Sequence, residues 1–60
     1  MMGATLAEMC KTARARMRLS QSKFAEIVGT NQTEVSFIER VFVPQDQGKI
    51  DAIKKLYRDI

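Results

Sequence analysis

The sequence predicts an all-α domain of four short helices, with room for a short fifth turn. Three observations predict it. Apolar side chains recur three and four residues apart in successive segments. Each segment opens on a capping residue and closes near a glycine, a basic cluster or a proline. The one run that could pass for a strand, Val41-Phe42-Val43, has no partner strand and reads as a loop packing its side chains onto the core. With 60 residues the chain forms one domain, 1–60, and a domain of this size buries only about 60% of the surface that its unfolded form exposes.

The first helix is expected from about Thr5 to Arg16. Thr5 and Glu8 form a capping box, hydroxyl and carboxylate each satisfying an unpaired backbone donor. Leu6, Met9, Cys10, Ala13 and Met17 make one apolar stripe, and Lys11, Arg14, Arg16 and Arg18 crowd toward the end where the helix dipole favours cations. Ser20 caps a second helix, Gln21 to Val28, whose apolar positions are Phe24, Ala25, Ile27 and Val28. Gly29 ends it, able to take a left-handed conformation without steric cost. Thr30 and Asn31 offer the third cap, with Gln32 to about Arg40 helical behind it. There Val35 and Ile38 point inward, while Gln32, Thr33, Glu34, Ser36 and Phe37 face out. Pro44 closes the loop that follows. Asp46 caps a last helix with Ile50, Ile53, Leu56 and Tyr57 on its buried side and Ile60 at its end.

Composition narrows the function classes. Ten Lys and Arg against seven Asp and Glu give a net charge of +3, a modest excess. Its distribution is more informative: Lys11, Arg14, Arg16, Arg18 and Lys23 fall in a stretch without one acidic residue, a candidate phosphate-facing strip. A single cysteine excludes an internal disulfide, and without histidine no four-ligand zinc site can be built. Cys10 lies on the apolar stripe, as inert core or else as a reactive thiol. No metal cluster or phosphate-cradling glycine loop supports an enzymatic reading, and no cofactor or small-molecule ligand is implied. Neither a membrane span nor a secretory signal is visible, so a reducing cytoplasm is expected.

Two short helices joined by a tight turn with glycine first are the geometry of a helix-turn-helix, here at about 20–40. Ala25 is small where the helices approach, Gly29 makes the turn, and Val35 and Ile38 seat the second helix on the first. Leu19-Ser20-Gln21, Phe24-Ala25, Gly29, Val35 and Ile38-Glu39 together resemble the phage repressor and Cro family, also called the xenobiotic-response-element family. The resemblance covers roughly residues 5–57. It implies a lambda-repressor-like fold, a cytoplasmic transcription factor, double-stranded DNA as partner and a homodimer on a two-fold operator. It also implies a structural ion pair between Arg14, late in the first helix, and Glu39, at the end of the recognition helix.

Five residues are candidates for base contacts: Asn31, Gln32, Thr33, Ser36 and Phe37. The start of a recognition helix enters the major groove. Gln32 could bond to adenine N6 and N7, and Thr33 or Phe37 could pack on a thymine methyl. Phe37 could equally be a wrapped core contact. Gln21 could donate to a phosphate, and the resemblance adds that it can brace a recognition-helix side chain; otherwise it is an exposed glutamine. Arg16, Arg18, Lys23 and Arg40 are the other phosphate-contact candidates, and Glu34 is expected at the groove edge. Where many members of that family carry glycine two residues after the matching glutamate, this chain has Val41. Phe42, Val43, Tyr57 and Ile60 could form an apolar contact patch or finish the core. A regulator of transcription, repressing from a short operator, leads. A protein-interaction module of the same fold, an antitoxin-like or anti-repressor partner, is the alternative.

Overall fold

In the structure, a computed structural model that describes residues 4–59, the chain runs through four helices. They are α1 (Leu6–Met17), α2 (Gln21–Val28), α3 (Gln32–Ile38) and α4 (Gln47–Asp59). No strand occurs among the described residues. Each start follows from local chemistry. The Thr5 hydroxyl accepts from the Glu8 N–H at 3.2 Å while the Thr5 N–H donates to Glu8 Oε1 at 3.1 Å. Ser20 Oγ accepts from Lys23 N–H at 3.1 Å, and Asn31 Oδ1 from Glu34 N–H at 2.9 Å. Asp46 takes the Gly48 N–H at 2.9 Å, as its place before α4 leads one to expect.

The ends share one device. After α1, α2 and α3 the chain turns through a residue with positive φ: Arg18 at 58°, Gly29 at 91° and Val41 at 131°. Each turn is closed by a backbone bond spanning five residues: Leu19 N–H to Arg14 O, Thr30 N–H to Ala25 O and Phe42 N–H to Phe37 O. Behind Arg18 and Val41 a second, inner bond runs from Arg18 N–H to Ala15 O and from Val41 N–H to Ile38 O. These are Schellman caps, which satisfy carbonyls that a helix end would leave unpaired. The apolar contact that accompanies such a cap is present after α3, where the Phe37 and Phe42 rings meet edge to face with centroids 6.3 Å apart.

α1 packs chiefly on α4 and α2 on α3. Cys10 and Ala13, Phe24, Ala25 and Val28, Val35 and Ile38, and Ile53 form one buried cluster from all four helices. Leu6, Met9, Met17, Leu56 and Tyr57 surround it, half-buried. Two expectations need correcting. Ile27 is half exposed rather than inward. It sits about 100° around α2 from the middle of the face shared by Phe24, Ala25 and Val28. The Val41–Val43 loop does not pack onto the core. Val41 is 81% exposed and Val43 58%, and the buried loop residue is Pro44. Ile60 lies outside the described residues.

Candidate functional site

α2 and α3 meet across the three-residue turn Gly29-Thr30-Asn31, and at this junction the polar side chains form one connected chain. It begins at Glu39, just past α3, whose side chain is only 8% exposed. Arg14 of α1 grips the carboxylate with two bonds, Nε to Oε2 at 2.7 Å and Nη2 to Oε1 at 3.1 Å. Its remaining nitrogen, Nη1, donates to the Leu19 carbonyl at 3.1 Å. The Cys10 thiol approaches Oε2 from the core at 3.8 Å. Gln21, at the first position of α2, donates its Nε2 to Glu39 Oε1 at 3.1 Å. Gln32, at the first position of α3, donates its Nε2 to Gln21 Oε1 at 3.1 Å.

The polarity of this chain is forced. An ionised carboxylate only accepts, so Gln21 must turn its NH₂ toward Glu39. Its carbonyl then faces Gln32, which must answer with its own NH₂. Gln32 keeps one N–H and its Oε1 for a ligand: a donor beside an acceptor, on an exposed residue. Such a pair can recognise a flat edge that offers the reverse pattern.

Ionisation of Glu39 underlies the order. Burial alone would raise its carboxyl, but the bonds from Arg14 and Gln21 and the charge of Arg14 outweigh it, so it titrates below its ordinary value. The same bond, working against desolvation, raises Arg14. Burial, then the charge and bond of Glu39, push the Cys10 thiol up to about 12, against the pull of Arg14. A thiol held so high is protonated and buried, which fits inert core.

The five base-contact candidates, four on α3 and Asn31 at its cap, lie close together. Asn31, Gln32 and Thr33 are exposed at the start of the helix. Ser36 and Phe37, one turn on, continue the same face, Ser36 half-buried and Phe37 47% exposed. The Phe37 ring packs on Phe42 in the cap after α3, outside the buried cluster, and leaves about half its surface exposed. Arg14, Gln21, Gln32 and Glu39 are brought together. Lys23 and Arg40 are exposed, Lys23 near Glu26 of its own helix at 3.8 Å. Arg18 is exposed in the cap of α1. Arg16 lies over the Tyr57 ring of α4, 6.0 Å from its centroid, on the α1–α4 side.

Glu34, expected on the outer side of α3, is not a free surface carboxylate. It is half-buried, bonded by the Thr30 hydroxyl and by Lys49 Nζ of α4 at 2.8 Å. Sequence reading missed Lys49. One signal was there: a cation in the first turn of a helix opposes the dipole and implies a partner elsewhere. Among the described residues no cluster of His, Cys, Asp or Glu could hold a metal, and no helix is long and apolar enough to cross a membrane. Comparison with protein-family models, with curated proteins and with solved structures finds no match.

Proposed function

We propose that the chain is a sequence-specific DNA-binding regulator of transcription, in which α2 and α3 act as a helix-turn-helix and α3 enters the major groove of a short operator. The observation that carries this reading is the preset amide of Gln32. Its free donor and acceptor are complementary to adenine, where N7 accepts and N6–H donates. Gln21 and Glu39 hold it in place before binding, so less side-chain freedom is lost on contact. Thr33, Ser36 and Phe37 continue the reading face, and Phe37 can cover a thymine methyl. Gln21, locked between Glu39 and Gln32, braces the reader and can offer its remaining N–H to a phosphate. Arg18, Lys23 and Arg40 supply sequence-independent attraction, with Arg16 at the margin.

Repression follows if the operator overlaps a promoter, and a homodimer would read two inverted half-sites about one helical turn apart. Selection of bound duplexes from a random library should enrich a motif containing adenine. Gln32→Ala should cost about 1–3 kcal/mol on that motif and relax one base position. Equal losses on selected and random duplexes would remove Gln32 from the reading face.

A second reading rests on the exposed apolar loop at Val41, Phe42 and Val43 beside Phe37. A protein-interaction module would use that surface. Its binding would persist in salt, whereas phosphate contacts weaken steeply as counterions compete.

A further inference from the structure

Glu34 occupies the third position of α3, on the same turn as Gln32 and Thr33. It lies beside Phe37, at the edge of the face that Gln32 and Thr33 present, where a free carboxylate would repel phosphates and could accept from a cytosine N4 within reach. The structure folds it back. Thr30, in the turn before α3, and Lys49, in the first turn of α4, both bond the same oxygen, Oε1. Both charged side chains are about three-quarters buried, at 25% and 23% exposure. α4 packs chiefly on α1, so the Lys49 ammonium reaches across to the start of α3 from a helix seated elsewhere. It also stands in the first turn of its own helix, where the dipole disfavours a cation. Glu34 titrates below its ordinary value through the bonds from Lys49 and Thr30, which outweigh desolvation. The carboxylate is therefore ionised and occupied.

We infer that Lys49 is a specificity-determining residue that acts through Glu34: with Thr30 it withdraws a carboxylate from the groove, so that α3 reads bases through Gln32 and its neighbours while Glu34 stays silent. This rests on the DNA-binding reading. Lys49 is a positioning residue and touches no base itself. Removing its charge leaves Glu34 with Thr30 alone, free to turn toward the groove, where it adds one negative charge and one base-reading acceptor.

The test compares the motifs that the full chain, Glu34→Gln, Lys49→Met and the double variant select from a random duplex library. Methionine keeps the apolar stem of the lysine, and thermal melts check that all four proteins are folded at the binding temperature. The wild type and Glu34→Gln should select the same motif. Lys49→Met should change preference at one base position toward cytosine. It should also bind the original motif more weakly, and the loss should shrink as salt screens the freed carboxylate from the phosphates. Both changes should disappear in the double variant. A purely structural ion pair would lower the melting temperature and leave the motif alone.

An unchanged motif for Lys49→Met, or a change that survives in the double variant, would overturn the inference and leave the DNA reading intact. A changed motif for Glu34→Gln alone would overturn it too, because Glu34 would then already be reading. No enriched motif for the wild type would remove the DNA reading, and this inference with it.

Discussion

Glu39 accepts from Arg14, Gln21 and Cys10 at once, and in doing so sets the orientation of a glutamine on another helix. Arg14 and Glu39 are recognisable as a pair from the sequence because the resemblance carries them. The orientation of Gln32 is not recognisable there, because an amide is ambiguous until a charged neighbour decides which end faces it. Lys49 and Glu34 are farther from legibility still, fifteen residues apart on separate helices with no periodicity linking them. Acid should expose the role of Glu39. Its folded pKa lies below the ordinary 4.5, so its contribution is present above that pH and is lost as pH falls through the folded value. Glu34 adds a loss of the same sign. Melting temperature should therefore drop below about pH 4.5. Glu39→Gln should start lower at neutral pH and show a flatter acid limb. An acid limb as steep as that of the wild type would mean that other carboxylates carry the dependence.

The helices are legible wherever their signals are local. Thr5 with Glu8, Ser20, Asn31 and Gly29 fall where capping chemistry puts them, and the bounds of α2 follow directly. α3 ends two residues before the expected Arg40, because the residue that turns the chain is a valine and gives no punctuation in the sequence. Positive φ is costly for any residue with a Cβ, about 1–2 kcal/mol, and worse when that carbon is branched. Val41 is 81% exposed, so glycine there forfeits little packing. Relief of strain should exceed the entropy that glycine adds to the unfolded chain, about 0.4–1 kcal/mol. Val41→Gly should raise stability by about 1 kcal/mol, or roughly 5 °C in a domain of this size. Arg18→Gly, at an ordinary left-handed φ of 58°, should gain less. Paired thermal melts would check the ranking, and a destabilised Val41→Gly would mean that the loop is not strained.

Across the whole molecule, two helix pairs share one small core, and Ile53 is the fully buried side chain that α4 contributes to it. Truncation of such a residue costs about 2–5 kcal/mol. A chain of this length has roughly 3–9 kcal/mol in total, so Ile53→Ala should melt roughly 10–30 °C lower. That α4 closes on α1, the helix most distant from it in the chain, bears on the order of events in time. The α2–α3 hairpin joins neighbours across a three-residue turn, whereas α1 and α4 can meet only after everything between them has folded back. Contacts of the hairpin should thus be formed at the folding barrier and those of α4 should come after it. In stopped-flow experiments Val35→Ala should slow folding, while Ile53→Ala should leave folding nearly unchanged and speed unfolding. The native protein would then open from α4 first, and the Lys49 tie to Glu34 would be released before the Arg14–Glu39 pair.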